Sequence, residues 1–203
     1  TFMTVDPAPP SANTYEADLD PGTVRGRTPD DLLLFGDYVG SRAEDRYEEV
    51  TDLDGLVPLF EEFLTDYNLE SRVPMRLVMF IAAISHVSRL VRVLRQHGNA
   101  LLLGVGGSGR QSSTKLATFM AEYQLVQISV NKGYSMAEWH EDIKRVLLSC
   151  GLDGKPSVLM LVDAQLVHEG MLEDVSNLLN SGDVPGLYSP EEMDQIMEAS
   201  KFA

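Results

Sequence analysis

The feature that most constrains this chain of 203 residues is a glycine-rich hexapeptide at residues 104–109, Gly-Val-Gly-Gly-Ser-Gly. The apolar residues 100–103 precede it and predict a short buried strand, and apolar residues recur at helical spacing from Leu116 to Tyr123 after it. Small residues between a strand and a helix let backbone N–H groups converge, and the helix N-terminus adds partial positive charge. The hexapeptide therefore predicts a phosphate-binding loop, with a glycine turn that holds no ligand as the alternative.

The residues that follow the hexapeptide depart from the common phosphate-loop pattern G-x-x-x-x-G-K-[ST]. Arg110 and Gln111 replace the Lys and the Ser or Thr, and Ser112 comes one place late. The guanidinium keeps the positive charge but does not reproduce the point charge of a Lys, and an amide replaces the hydroxyl that would ligate Mg²⁺. We expect the nucleotide phosphates to meet Gly104, Val105, Gly106, Gly107, Ser108, Gly109, Arg110, Gln111 and Ser112.

A second motif is the continuous apolar run at 158–162, which ends at Asp163. An acid at the carboxyl end of a buried strand is typical of a Walker B element, whose Asp binds Mg²⁺, usually through water. In hydrolysing AAA-type ATPases a Glu follows and polarises the attacking water. Here Ala164 follows, and its methyl group accepts no proton, while Glu169 and Glu173 are interpreted as surface charges. The pair of motifs predicts binding of ATP or ADP with Mg²⁺, without a catalytic residue for hydrolysis.

The segments before the hexapeptide divide into an irregular arm and two helices. Residues 1–31 contain five prolines and predict an extended arm or linker, which leaves 32–203 as the nucleotide-binding domain. Apolar residues recur at three- and four-residue steps from Leu53 to Tyr67 and again after Pro74, so both stretches predict helices. We expect the second helix to end near His97 and Gly98, with the glycine in a left-handed cap conformation.

The segments after the hexapeptide alternate between strands and helices. Strands are predicted at 125–130 and 158–162. Helices are predicted to begin at the capping signals of Ser135 and Ser189, and the helix after Asp163 is predicted to stop at Gly182. Strand and helix in regular alternation is the order of a parallel sheet covered by helices. The sequence therefore predicts an α/β fold.

Charge and composition exclude several classes of protein. Residues 71–155 carry eleven basic and five acidic side chains, but the whole chain is acidic, with a net charge of −15. Such acidity argues against nucleic acids and anionic membranes as partners, and no apolar run approaches the ~20 residues of a membrane helix. The single cysteine, Cys150, cannot form an intramolecular disulfide and fits a reduced intracellular compartment.

The remaining candidate residues have ordinary structural explanations. The four histidines show no metal-ligand spacing with one another or with Cys150, and Trp139 is interpreted as a core residue. Arg89, Arg92 and Arg95 line one face of the second predicted helix. We interpret this face either as solvated or as an interface with an acidic neighbour.

Residues 98–112 resemble the fourth AAA+ module of axonemal dynein heavy chains, and the Arg-Gln pair after the loop is part of that family's pattern. The segments 34–38, 75–80, 139–144 and 172–185 continue the likeness, which runs from about residue 32 to about residue 190. The resemblance implies a P-loop NTPase (AAA+) large domain with a parallel sheet flanked by helices. It also implies that the later strands and the helical lid follow Ala203, so we expect a fragment of a longer heavy chain.

The same resemblance implies a place in a microtubule motor of the cytoplasm and cytoskeleton, in the axoneme of cilia and flagella. Its partners would be neighbouring AAA+ modules, dynein intermediate and light chains, and microtubules. An adenine pocket is implied at Pro74, Met75, Leu77 and Val78.

Three hypotheses about function stay open at this point. The first is a regulatory nucleotide-binding module with little or no hydrolysis, as the family's fourth module is. The second is an active ATPase in which Arg110, Ser112 and Glu169 replace the usual groups. The third is a nucleotide-free packing module of the motor ring.

Overall fold

The computed structural model describes residues 34–38, 47–152 and 154–201. The arm predicted at 1–31 lies outside these residues. The described residues up to 122 form one compact unit, here the first unit, and those from 123 onward form the second unit. No helix within the described ranges is long and apolar enough to span a membrane.

The first unit combines a short antiparallel ladder with three helices. Strand β1 (Phe35–Gly36) pairs with β2 (Glu48–Glu49), and the helices are α1 (Leu56–Glu70), α2 (Ile81–Arg95) and α3 (Arg110–Met120). The three helices pack against one another. Helix α2 supplies most of the core because its apolar residues recur every three or four positions, and its buried apolar residues are Ile84, Val87, Leu90, Val91 and Leu94.

Tyr38 ties the segment after β1 to two of these helices. Its ring meets Phe60 of α1 edge-on with centroids 5.2 Å apart, and its hydroxyl lies 2.6 Å from Ser88 Oγ of α2. The Ser88 hydroxyl also donates to the backbone oxygen of Ile84 at 2.8 Å. Burial raises the pKa of Tyr38 to about 12, so the phenol stays protonated at neutral pH. Both hydroxyls of this buried pair take part in hydrogen bonds, so the pair holds the segment after β1 at one position against α2.

Helix α2 begins later than the sequence predicts. Residues 73–80 are not helical, and Phe80 is the extended N-cap residue. The cause is Asn68 at the end of α1, whose side chain accepts from the Met75 N–H at 2.8 Å and donates to the Met75 oxygen at 3.0 Å. Because both backbone groups of Met75 are used by a side chain, they are not available to a helical ladder.

The end of α2 also differs from the prediction. His97, not Gly98, has the left-handed conformation, with φ of 53°. The His97 N–H donates to Leu94 O at 2.9 Å and the Gly98 N–H donates to Val93 O at 2.8 Å, which is the Schellman pattern one residue earlier than expected. Gly98 is needed for a different reason, since a Cβ there would lie 3.0 Å from Val93 O.

The three arginines of α2 do not form one solvated face. Arg89 and Arg92 are exposed, but Arg95 is half-buried and pairs with Asp37 beside β1. The Arg95 Nη2 group also donates to the backbone oxygen of Met120 at the end of α3, at 3.1 Å. Arg95 therefore joins three segments of the first unit, and the interface interpretation of this face is restricted to Arg89 and Arg92.

The strand predicted at residues 100–103 is absent, and the expectation of a buried strand there was wrong. Ala100 is buried, but Leu101 is 47% exposed and Leu103 is 62% exposed. A strand requires a hydrogen-bonded neighbour, and none of the described residues pairs with this segment. The segment leads into the glycine-rich loop without belonging to a sheet.

The second unit is built on one βαβ crossover. Strand β3 (Gln124–Val126) and strand β4 (Ser157–Leu159) are parallel, with Val126 opposite Leu159, and helix α4 (Met136–Leu152) connects them. A short 3-10 helix (Asp163–Gln165), α5 (Glu169–Ser181) and α6 (Pro190–Ala199) follow. Both strands are shorter than the apolar runs predicted. The parallel pairing and the covering helix confirm the predicted α/β class for this unit.

The predicted helix ends of the second unit are confirmed. The Glu138 carboxylate accepts from the Ser135 N–H at 2.8 Å, and the Glu192 carboxylate accepts from the Ser189 N–H at 2.7 Å. Each serine hydroxyl accepts in return from the backbone N–H of its glutamate. Gly182 ends α5 with φ of 74°. These capping signals are local, which is why the sequence alone locates them.

Trp139 is the core residue of the second unit, as predicted, and it is fully buried. Its Nε1–H donates to Asp174 Oδ2 of α5 at 2.9 Å, and His140 Nε2 lies 2.9 Å from the same oxygen. Asp174 is itself only 9% exposed. The carboxylate thus satisfies the one polar atom of the indole and joins α4 to α5. Around this pair pack Ile128, Tyr134, Ile143, Leu159, Met171, Leu178, Val184 and Leu187.

Replacing Asp174 tests whether this contact stabilises the unit. Asp174→Ala leaves the buried indole N–H of Trp139 without an acceptor, and we expect a loss of about 1–3 kcal/mol in the free energy of unfolding. Asp174→Asn retains a side-chain oxygen and should lose less. Urea unfolding followed by circular dichroism measures both, with Asp194→Ala on the exposed face of α6 as the control. An Asp174→Ala variant as stable as the control would contradict this role.

Because of the two capping boxes, we expect the first turns of α4 and α6 to lose stability in acid. The N–H and hydroxyl of Ser135 lower the pKa of Glu138, and the Lys144 ammonium and then the Ser189 N–H lower the pKa of Glu192. A lowered folded-state pKa stabilises the fold above the unfolded pKa, and this contribution disappears as the pH falls through the folded value. We expect the amide protection factors in the first turns of both helices to decrease when the pH is lowered below about 4. The start of α3, where Gly109 provides no side-chain cap, is the control.

Candidate phosphate-binding site

The glycine-rich loop runs directly into the N-terminus of α3. Gly107 and Gly109 have φ values of 81° and 77°, and Gly109 is the N-cap residue of the helix. A Cβ adds strain in these left-handed conformations, so glycine is strongly favoured at both positions. The first N–H groups of α3 have no partner within the helix and carry its positive dipole end. The loop therefore presents backbone donors to an anion.

The loop is open above its central glycines. A Cβ built on Gly106 or Gly107 would meet no atom within 4 Å, and residues 103–108 are exposed. At the beginning of the loop the packing is tight instead, because a Cβ on Gly104 would lie 3.0 Å from Ser108 Oγ. The loop is thus closed at its base and free at its centre, which leaves room for a phosphate group against the backbone.

Arg110 contacts the loop itself. Its Nη1 donates to Leu102 O and its Nη2 donates to Val105 O, each at 3.4 Å. The fork therefore spans the two sides of the loop base. The side chain of Gln111 is exposed and that of Ser112 is half-buried on the first turn of α3. Of the residues predicted to meet phosphates, Arg110 is the one whose side chain already brings positive charge to the loop.

The four residues predicted for an adenine pocket lie in the irregular segment before α2. Leu77 is the one that reaches the loop, since a Cβ on Gly109 would lie 3.9 Å from its Cδ2 atom. Met75 is held by Asn68, whereas Pro74 is exposed and Val78 is 81% exposed. Asn68 was not foreseen from the sequence, because a helical Asn gives no signal of a partner seven residues away.

The predicted acidic motif lies in the second unit. Asp163 begins the 3-10 helix after β4, and both Asp163 and Ala164 are exposed. Glu169 lies in the first turn of α5 and Glu173 one turn later, and both are exposed, in agreement with their interpretation as surface charges. An exposed carboxylate in the turn that follows a parallel strand is available to a hydrated cation.

Gln165 is a residue of this motif that was not predicted from the sequence. Its Oε1 accepts from the Val162 N–H at 2.7 Å, and its Nε2 donates to the backbone oxygen of Ile128, beyond the end of β3. The signal available in the sequence is a Gln at the third position of a helical turn, which is the position that reaches back to the N-cap backbone in a capping box.

The donor set fits Mg²⁺ better than a transition metal. Within the described ranges, no group of three or more His, Cys, Asp or Glu side chains converges on a metal position. His140 lies against Asp174, and His168 Nε2 lies 2.8 Å from Tyr134 O. Mg²⁺ keeps most of its waters when a protein binds it, so a single exposed carboxylate such as that of Asp163 suits Mg²⁺ better than a transition metal.

Comparison with known proteins agrees with these features. Residues 75–203 match the family described as P-loop containing dynein motor region D4. The chain is 46% identical over 171 residues to dynein axonemal heavy chain 1 of Mus musculus. These 171 residues cover 83% of this chain and 4% of that protein. It is 44% identical over 173 residues to heavy chain 3 of the same organism and 45% identical over 165 residues to heavy chain 2 of Homo sapiens.

The matched stretch spans about 4% of the length of these relatives and covers 80–84% of this chain. The family match includes the glycine-rich loop, the acidic motif and all the helices from α2 to α6. It confirms the AAA+ P-loop fold class and the resemblance to axonemal dynein heavy chains. The chain belongs to the family of the P-loop-containing dynein motor region D4.

Proposed function

We propose that this chain binds ATP or ADP together with Mg²⁺ and serves as a regulatory module of an axonemal dynein motor. The observation that carries the proposal is the loop at 104–109, with Gly107 and Gly109 left-handed and open space above Gly106 at the N-terminus of α3. Backbone donors in this arrangement bind phosphate oxygens without any side chain. The family match supports the same assignment, since it is to a P-loop region.

The side chains around the loop have distinct roles in this proposal. Arg110 supplies positive charge beside the phosphates, and its fork is free to exchange the two long bonds to backbone oxygens for shorter ones to an anion. Leu77, beside Gly109, contributes an apolar contact for the nucleoside. Asp163, in the second unit, is the proposed ligand of a hydrated Mg²⁺, through water.

The chemistry at position 164 argues for binding with little or no hydrolysis. A catalytic base must reach the attacking water and take or share its proton. Ala164, next to Asp163, cannot do so, and Glu169 and Glu173 lie on α5 with exposed side chains. In the proposed role, the rest of the motor responds to whether a nucleotide is bound at this site and not to its hydrolysis.

The relatives suggest the larger context. They are named as axonemal dynein heavy chains. We propose on this basis that the chain acts within a ring of AAA+ modules of one heavy chain. Microtubules and the intermediate and light chains are partners of the whole motor in the axoneme.

A glycine substitution tests phosphate binding directly. Gly106→Ala meets no atom within 4 Å and has no left-handed φ, so we expect the unliganded fold to tolerate it. The added methyl group occupies the space proposed for phosphate, and MgATP affinity should fall about tenfold or more, a loss of about 1.4 kcal/mol in binding free energy. Calorimetric titration and thermal stabilisation by MgATP measure the effect.

Gly151→Ala is the matched control, because a Cβ there also meets nothing within 4 Å and the residue lies in α4, away from the loop in the sequence. It should leave MgATP affinity unchanged. Absence of heat and of thermal stabilisation with the unaltered chain would instead favour the nucleotide-free packing module.

Restoring the missing acid distinguishes a regulatory site from an active ATPase. If the absence of a base limits the chemistry, Ala164→Glu should raise phosphate release by about 10²-fold or more, the usual contribution of a positioned base. If a different group already acts as the base, the same substitution should change little. Phosphate release under single-turnover conditions measures the rate. Ala137→Glu, at an exposed position of α4, is the control for the added charge.

A further inference from the structure

The segment between α1 and α2, residues 71–80, contains no helix or strand, yet hydrogen bonds hold it to the end of α1. The Ser71 N–H donates to Tyr67 O at 2.8 Å. Asn68 then uses both ends of its amide on Met75, accepting from the N–H at 2.8 Å and donating to the oxygen at 3.0 Å. The first half of this segment therefore has a fixed place against the last turn of α1.

Both the end of α1 and this segment also contact α3, the helix that follows the glycine-rich loop. The Tyr67 ring meets Phe119 of α3 edge-on, with centroids 5.7 Å apart. Leu77, two residues after Met75, lies beside the other end of α3, since a Cβ on Gly109 would lie 3.9 Å from its Cδ2 atom. The bonds between Asn68 and Met75 thus join two parts of the first unit that both rest on α3.

The side chains around Leu77 are apolar and face solvent. The exposed fraction is 81% for Val78 and 57% for Phe80. Ligand sites combine apolar side chains with a few polar groups, and a purine base presents two apolar faces. A segment that already lies beside the loop before the ligand arrives also reduces the ordering that binding requires. The position of this segment is therefore suited to the nucleoside end of a ligand whose phosphates lie on the loop.

We propose that Asn68 is a positioning residue that keeps Leu77 beside the loop and so sets the affinity of the site for the nucleoside part of its ligand. This inference rests on the proposed nucleotide-binding function. Asn68 acts through Met75 and not on the ligand. When both bonds are lost, the segment spends only part of its time in the binding position, and nucleoside affinity falls by that fraction. Phosphate affinity stays, because its donors belong to residues 104–109 and to α3.

Asn68→Ala removes both bonds, and the readout compares two ligands of the whole chain. The dissociation constants of ATP and of inorganic tripolyphosphate, each with Mg²⁺, are measured by calorimetric titration. We expect the affinity for ATP to fall about tenfold, while that for tripolyphosphate stays within about twofold of the unaltered chain. Asn131→Ala, at an exposed position of the second unit, is the matched control and should change neither affinity.

Asn68→Asp tests the hydrogen bonds without changing the shape of the side chain. It keeps an acceptor for the Met75 N–H but turns a carboxylate oxygen toward Met75 O, where the unaltered chain has a donor. The ratio of the two affinities should again move against ATP. Asn131→Asp controls for the added charge, which acts on both ligands. A ratio equal to that of the unaltered chain in both Asn68 variants overturns the positioning role.

An equal loss of affinity for both ligands also overturns it, because a general effect on the fold does not distinguish nucleoside from phosphate. If the unaltered chain binds tripolyphosphate as tightly as ATP, the nucleoside contributes nothing and this inference fails, while phosphate binding at the loop stands. If the unaltered chain binds neither ligand, the proposed function itself fails and the inference fails with it.

Amide exchange in the ligand-free chain tests the anchor by itself. The Met75 amide should exchange faster in Asn68→Ala than in Asn131→Ala, because its acceptor is removed. The amides in the middle of α1 should keep their protection in both variants, since their acceptors lie within the helix. Unchanged exchange at Met75 overturns the role of Asn68 whatever the titrations give.

Discussion

The second unit depends on the parallel pairing of β3 with β4. Parallel strands cannot be joined by a tight turn, so α4 must cross over the sheet between them. That crossover buries Trp139, and the buried indole then requires the acceptor that Asp174 provides from α5. The same pairing places the segments after both strands at one edge, where Gln165 reaches Ile128 O. The turn that carries Asp163 is therefore a consequence of how two short strands pair.

The first unit relies on contacts at or near the ends of its helices. Asn68 holds Met75 outside α2, His97 ends that helix in a left-handed conformation, and Arg95 joins it to Asp37 and to the end of α3. These contacts fix the helices against which the loop is set. The loop itself contributes little packing, since its centre is exposed. An open glycine loop held by packed helices leaves its backbone N–H groups available to the phosphates of the proposed nucleotide.

Much of this architecture could be read from local signals, and the errors have a common cause. The capping boxes at Ser135 and Ser189 and the stop at Gly182 are set by residues within one helical turn, and all three were predicted correctly. The start of α2 was misplaced because Asn68 acts from seven residues away. The strand at 100–103 was misassigned because apolar character says nothing about whether a pairing partner lies alongside.

The sequence by itself determined the chemistry available to this protein. It supplies a glycine loop at the start of a helix, an acid after an apolar run, and an alanine where hydrolysing AAA-type ATPases have a glutamate. These follow from residue type and spacing, which require no partner from elsewhere in the chain. Only the tertiary structure decided how the groups are held: Arg95 became a structural link rather than part of a solvated face, and Gln165 became the residue that closes the turn beginning at Asp163. The physical reason is that a side-chain hydrogen bond needs a donor and an acceptor within about 3 Å, and the folding of distant segments alone brings them to that distance.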